Sequence, residues 1–231
     1  MLFFKVEGMF AQTLKQFICW HCILLVFFII ISCSKDDDFL VREVVLTFDD
    51  APNFPEYTSK ILDVLNKHEV KATFFCIGQS LIRYPDLANR IATEQFMGNH
   101  TFTHINLENS DLISIYKQEI LQTQFIIDSL QPYNKHYFRP PFSKLSLKQK
   151  ITLLSNGFDV VMWDLSAEEW DNNVSTEDVV DYFHNNLYSK AQIPIILFHL
   201  NNSAVEALDI LLTEFKEKTI KVITLDEFRS R

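Results

Sequence analysis

Cysteine is nearly missing from the part of this 231-residue chain that could use it. Four are present, but Cys19, Cys22 and Cys33 fall in or just after the N-terminal apolar segment, which leaves Cys76 alone. It sits inside "ATFFCIG", an apolar run of strand type, so a buried core thiol is expected and no disulfide framework is available. Excess positive charge is lacking too. Against 30 Asp and Glu stand 21 Lys and Arg, a formal net charge of −9, which excludes nucleic acid as a partner. The apolar run "FICWHCILLVFFIII" (Phe17 to Ile31) has 15 residues, short of the roughly 20 needed to span a bilayer. Internal repeats and interdomain linkers are absent after residue 40, so one domain with a full core is expected.

What the apolar run does fit is the core of an export signal, with Lys5 and Lys15 ahead of it. It ends in "IISC" (Ile30 to Cys33). A small residue before cysteine at that place resembles the lipobox of bacterial lipoproteins, which implies cleavage before Cys33 and lipid carried on its thiol. Residues 1–32 are then a lipoprotein signal peptide, and Met9 is an alternative start. Residues 33–40 form an acidic tether around "SKDDD", too polar to pack. Lipoproteins of the Bacteroidetes type with acids after the cysteine are displayed on the outer surface, so the resemblance implies an exported chain, lipid-anchored to the cell envelope at the outer membrane. An uncleaved membrane anchor is the alternative.

Residues 41–231 alternate two kinds of segment. Apolar runs rich in Val, Ile and Phe occur at 44–48, 72–77, 95–98, 136–138, 158–163, 193–198 and 220–225, seven candidate strands. Between most of them lie amphipathic stretches of helical length at 56–68, 86–94, 111–130, 147–156, 175–189 and 204–218. Such alternation predicts an α/β fold of parallel strands with crossover helices. The chain is short for eight units, so a distorted (β/α) barrel with about seven parallel strands fits better than a full barrel or an open sheet.

Polar residues then fall at strand ends. Asp49 and Asp50 follow the first strand, His100 and His104 the third, Arg139 the fourth, Asp164 the fifth, and His199 ends the sixth. In β/α barrels the C-terminal rim collects catalytic residues from distant parts of the chain. The pair in "GNHTFTH" (98–104), four residues apart, is able to share a ligand, as in the histidine motifs of metal hydrolases. Alone, the spacing equally describes two unrelated histidines. His21, His68, His136 and His184 belong to no such group and are read as structural or exposed.

"TFDDAPN" (47–53), "HTFTH" (100–104), "RPPF" (139–142), "WDLSAEEW" (163–170) and "LFH" (197–199) occur in the order and at roughly the spacing of the five motifs of the polysaccharide deacetylases, carbohydrate esterase family 4, also called the NodB-homology domain. The resemblance covers residues 41–231. It implies a divalent metal held by Asp50, His100 and His104, most simply zinc, with cobalt, nickel or manganese suited to the same donors. It implies Asp49 as general base, His199 as general acid and Arg139 as the residue that positions the base. Phe142 stands where a backbone N–H meets the oxyanion, and Leu197 and Trp170 where the acetyl pocket and groove are lined.

The chain departs from that pattern at four places. Ala51 and Ser143 replace common glycines, and the paired aspartates of the fourth motif appear as Ser166 and Glu169. Glu169 is expected to reach His199 and tune it, and Asp164 to compensate for Ser166. The activity implied is a metal-dependent hydrolase of non-peptide carbon–nitrogen bonds that removes N-acetyl groups from N-acetylhexosamine polysaccharide and releases acetate. The alternative is a glycan-binding lipoprotein that keeps the metal site and has lost turnover.

Overall fold

The computed structural model describes residues 41–231 apart from 109, 112–114, 133–134, 172 and 188–191. The signal, the tether and the candidate lipidation site Cys33 lie outside the described residues, in which Val41–Arg231 form one compact unit. No described helix is long and apolar enough to cross a membrane.

Strand β1 (Glu43–Ala51) is the centre of the sheet. Val44, Val45, Leu46 and Phe48 are all buried, as expected of a parallel strand covered on both faces, whose apolar residues run on without alternation. One edge of β1 pairs with β2 (Thr73–Cys76), and β3 (Phe96–Asn99), β4 (Tyr137–Phe138) and β5 (Asp159–Val160) follow outward in that order. The other edge pairs with β7 (Ile195–Phe198), which is flanked by β6 (Leu165–Ser166). All these pairings are parallel, as is that of β8 (Lys221–Ile223) with the start of β1.

β5 and β6 are opposite ends of this strand order, yet only residues 161–164 separate them. Extended chain advances at most ~3.6 Å per residue, so the two edges lie within about 20 Å along the chain. The sheet therefore curls round on itself. The crossing segment joins both sides: Val161 N–H donates to Phe138 O at 2.9 Å, and Asp164 N–H donates to Ile195 O at 2.8 Å. The expected seven-strand β/α barrel is present. Two details differ: β6 lies outside the seven expected runs and makes the strands eight with β8, and the run 158–163 is strand only over β5, its end passing into the segment that links the two edges.

Helices α1 (Pro55–Lys67), α2 (Gly78–Arg83) and α3 (Pro85–Glu94) fill the first two crossovers. A π-helical turn (Tyr116–Leu121) leads into α4 (Gln122–Leu130), and α5 (Leu147–Ser155), α6 (Thr176–Asn186), α7 (Asn202–Glu217) and α8 (Leu225–Arg229) complete the set. Ser146, Ser175 and Thr224 begin α5, α6 and α8 with reciprocal capping boxes, so side chains meet amides that the first turn leaves unpaired. The six expected helical stretches agree within a few residues where described. α2 and α8, five or six residues long, are too short to show a helical period.

The main core packs β1, β2 and β7 against α1, α6 and α7. Phe48 lies at its centre, stacked on Phe74 at 4.8 Å and on Phe198 at 5.8 Å. Cys76 is in this core, free and buried as expected. Truncating Phe48 to alanine removes contacts on three strands at once and is expected to cost about 3–5 kcal/mol, measured as a fall in the urea midpoint with an unchanged m-value.

Candidate active site

Four strand ends deliver the polar residues. Asp49 and Asp50 are on β1, His100 follows β3, Arg139 follows β4 and His199 follows β7. A regular strand would turn Asp49 and Asp50 to opposite faces. Here the β1–β2 register shifts between Phe48 and Ala51, and Asp50 has a φ of 64°. This bulge re-aims one side chain, and aspartate is among the few residues that tolerate the left-handed region. Both carboxylates consequently line one cleft of about 450 Å³ with His100, His104, Phe142, Trp163, Trp170, Leu197 and His199.

Asp50, His100 and His104 bring one donor atom each to within 4.8 Å of one another. His100 is buried and its Nδ1 lies 2.7 Å from the carbonyl oxygen of Arg139. A carbonyl only accepts, so Nδ1 carries the proton and Nε2 keeps its lone pair for the cleft. That Nε2 lies 3.6 Å from Asp50 Oδ1, and His104 Nε2 lies 3.1 Å from the same oxygen. Neither contact makes a hydrogen bond, and Asp50 Oδ1 is buried without a partner. Three candidate ligand atoms therefore converge on one point.

The titration tendencies agree with that chemistry. Burial pushes the His100 imidazolium down more than Asp49 and Asp50 hold it up, so the neutral, ligating ring is favoured. For Asp50, burial acts to raise the pKa, but the contact with His104 and the fields of His100 and His199 outweigh it, so the carboxylate form is favoured. A neutral His100 ring and an ionised Asp50, with the His104 imidazole beside them, are donors that suit a divalent ion such as zinc. Asp50, His100 and His104 are thus a possible metal-binding triad.

Asp49 is held from below. Arg139 is wholly buried; its Nη1 donates to Asp49 Oδ1 at 2.8 Å and to Thr47 Oγ1 at 2.9 Å, and its Nε donates to Val161 O at 3.0 Å. The guanidinium also lies over Phe75 at 4.1 Å and faces Trp163 at 5.4 Å. With Oδ1 occupied, Asp49 Oδ2 is the oxygen turned toward the triad, 3.8 Å from His100 Nε2.

His199 is backed by Glu169. The Glu169 carboxylate is buried, accepts from the His199 backbone N–H, and lies 3.5 Å from His199 Nδ1. Burial would depress the imidazolium, but Glu169 first, then Asp49 and Asp50, hold the His199 pKa above its ordinary value. Trp170, half exposed, sets its ring edge-on to His199 at 4.9 Å. The reach expected of Glu169 is therefore present. Asn201, which sequence reasoning passed over, donates to Glu169 O at 2.6 Å while its Oδ1 caps α7 through Ala204 N–H at 2.8 Å. An asparagine three residues past a strand end and just ahead of an apolar helical run is the signal that marks it.

The expectation that Asp164 compensates for Ser166 is wrong. Asp164 is exposed, and its Oδ2 accepts from Ile195 N–H at 2.8 Å, at the N-terminal start of β7. His199 follows the other end of that strand, so no carboxylate from Asp164 reaches it. Phe142 is exposed at the rim with a φ of 58° and its ring edge-on to His104 at 4.7 Å. Leu197 is buried in the cleft floor. His68, His136 and His184 stand apart, against Asp209, Asp128 and Glu214.

Fold and triad together define a parallel β/α-barrel protein with a candidate metal site on the C-terminal rim. A family model described as polysaccharide deacetylase matches residues 37–161. Over 191 residues the chain is 34% identical to a peptidoglycan-N-acetylglucosamine deacetylase of Bacillus cereus, a match that covers 79% of this chain and 66% of that protein, just under two thirds of its length. A solved peptidoglycan N-acetylglucosamine deacetylase, in complex with an N-hydroxybenzamide compound, is similar at a TM-score of 0.73 and 32% identity, covering 80% of this chain and 87% of that one. A family pseudoenzyme from Bacillus anthracis is similar at a TM-score of 0.73 and 27% identity, covering 80% and 64%, and a mutant of it has restored enzymatic activity. The chain belongs to the polysaccharide deacetylase family.

Replacing Arg139 with Met leaves Asp49 buried and unpaired, and a buried charge robbed of its partner costs about 3–5 kcal/mol. A double variant, R139M with D49L, is expected to recover part of that loss; a double-mutant cycle from denaturant unfolding measures the coupling.

Proposed function

We propose that this protein is a metal-dependent deacetylase that hydrolyses the N-acetyl group of an N-acetylglucosamine-containing polysaccharide to acetate and a free amine. Peptidoglycan is the first substrate to test, because the Bacillus cereus relative and the solved deacetylase are both named for it. The observation that carries the reading is the convergence of His100, His104 and the unpartnered Asp50 Oδ1 in one cleft with Asp49 and His199.

Asp50, His100 and His104 hold the ion, which is zinc in the simplest case and supplies Lewis acidity toward water and the amide oxygen when bound. The chain's own residues do the proton work. Asp49 Oδ2 takes a proton from the attacking water, while Arg139 holds Oδ1 and so aims the carboxylate. Carbon–nitrogen cleavage needs a proton on the leaving amine, and His199, kept protonated by Glu169, donates it. The backbone N–H of Phe142 faces the developing oxyanion. Trp170 shields His199 from bulk water and offers an apolar wall for the sugar. The chain acts at the cell envelope, exported and held to the outer membrane by lipid on Cys33.

A second reading has specific support. Ser166 lacks the carboxylate that the family pattern carries there, Asp164 does not replace it, and a structural neighbour is a pseudoenzyme. In that case the chain binds glycan without turning it over. Asp49→Asn separates the two. An enzyme loses about 10²–10⁴-fold in kcat while its metal content, read by elemental analysis, stays unchanged; acetate release that survives D49N overturns Asp49 as base. Absence of release by the metal-loaded unaltered protein establishes the binding protein instead.

The pH profile gives an independent check. His199 acts as acid only while protonated, so kcat/KM falls as pH rises through its pKa. Glu169 raises that pKa, so Glu169→Gln moves the alkaline limb to lower pH. A limb that stays in place after E169Q assigns the acid to another group.

A further inference from the structure

The loop that carries the two ligating imidazoles does not hold its shape unaided. Thr101 has a φ of 65° and His104 a φ of 61°. Thr101 is β-branched, the kind of side chain least suited to the left-handed region, and its buried Oγ1 has no hydrogen-bond partner. Such backbone persists only where its surroundings over-determine it. Part of that constraint comes from neighbouring backbone: the N–H groups of Gly78 and Gln79 donate to Thr101 O and Phe102 O at 3.0 Å each. Asn99 Oδ1 accepts from Thr101 N–H at 3.0 Å.

Three further donors of the loop end on one side chain. Phe102 N–H and Thr103 N–H donate to Glu119 Oε2 at 3.0 and 2.8 Å, and the Thr103 hydroxyl donates to Glu119 Oε1 at 2.8 Å. Glu119 is buried and forms no ion pair among the described residues, so these three donors are what its carboxylate faces. Hydrogen bonds to an ionised acceptor are the strong ones, and converging amides are a ready seat for an anion. Glu119 itself comes from the π-helical turn Tyr116–Leu121, and its carbonyl accepts from the Thr123 hydroxyl at 2.9 Å. π-turns occur often at functional sites. Gly78 lets the parts close up: a Cβ there would come within 2.5 Å of both Phe102 Cδ2 and Thr123 Oγ1.

We infer that Glu119 is a positioning residue for the metal site, a carboxylate that never touches the ion but sets the separation and aim of His100 and His104 by gripping Phe102 and Thr103, two of the three residues between them. The inference rests on the metal reading above. Outer-shell partners of this kind typically change metal affinity 10–100-fold when altered.

The test titrates the metal-free full chain with zinc by calorimetry and records the visible spectrum of its cobalt form, for the unaltered protein, E119Q and T103V. Glu119→Gln keeps the size and removes the charge; it is expected to bind zinc about 10–100-fold more weakly and to show altered cobalt bands. Thr103→Val removes one of the three donors at an exposed position and is expected to show a smaller loss in the same direction. Affinity and spectrum equal to the unaltered protein, with only the melting temperature lowered, overturn the inference and leave Glu119 as packing. If E119Q does not fold, T103V decides alone, and an unchanged affinity there overturns it. A folded, unaltered chain that takes up no zinc defeats the metal reading itself, a result distinct from a loss confined to the variants.

Discussion

A buried guanidinium joins the parts of this barrel that have to agree. Arg139 follows β4, donates to Asp49 and Thr47 on β1, and donates to Val161 in the segment that closes the sheet. Its carbonyl oxygen receives the Nδ1 proton of His100 at the end of β3. The proposed base, a candidate ligand and the barrel closure therefore share one residue. A lysine would not serve there, because a rigid fork of donors is what reaches several acceptors at fixed angles while its faces pack on Phe75 and Trp163.

Backbone geometry does the rest of the aiming. The chain has four glycines, yet Asp50, Thr101, His104, Phe142 and Ser143 all take positive φ around the cleft. Ser143 stands where the family pattern commonly has glycine, and its φ of 57° shows why glycine suits the position. Each of these residues gives up local stability that the surrounding packing must supply. The cleft is buried at His100 and Asp49 and open where Phe142 and Trp170 stand half exposed.

The histidine pair illustrates how context changes a weak signal. HxxxH alone allowed two unrelated rings. The bond from His100 Nδ1 to a carbonyl and the orphaned Asp50 Oδ1 turn the pair into two thirds of a donor set. Glu169 and His199 are a second case, since a carboxylate one methylene longer than the aspartate of the family pattern still accepts from the amide of its partner and lies 3.5 Å from its ring nitrogen.

Local chemistry along the chain determined which residue types stand at the strand ends, that the strands are parallel, and that the five motifs follow one another in the family's order. Apolar runs and helical periods carry that information residue by residue. Tertiary structure decided the direction in which those residues face. The bulge that turns both Asp49 and Asp50 into one cleft, the end of β7 at which Asp164 is found, and the grip of Glu119 on the His100–His104 loop all arise between segments distant in sequence. A glutamate in an amphipathic stretch reads as solvent-facing. It is buried here because the left-handed turn of another loop presents amides that its carboxylate accepts from.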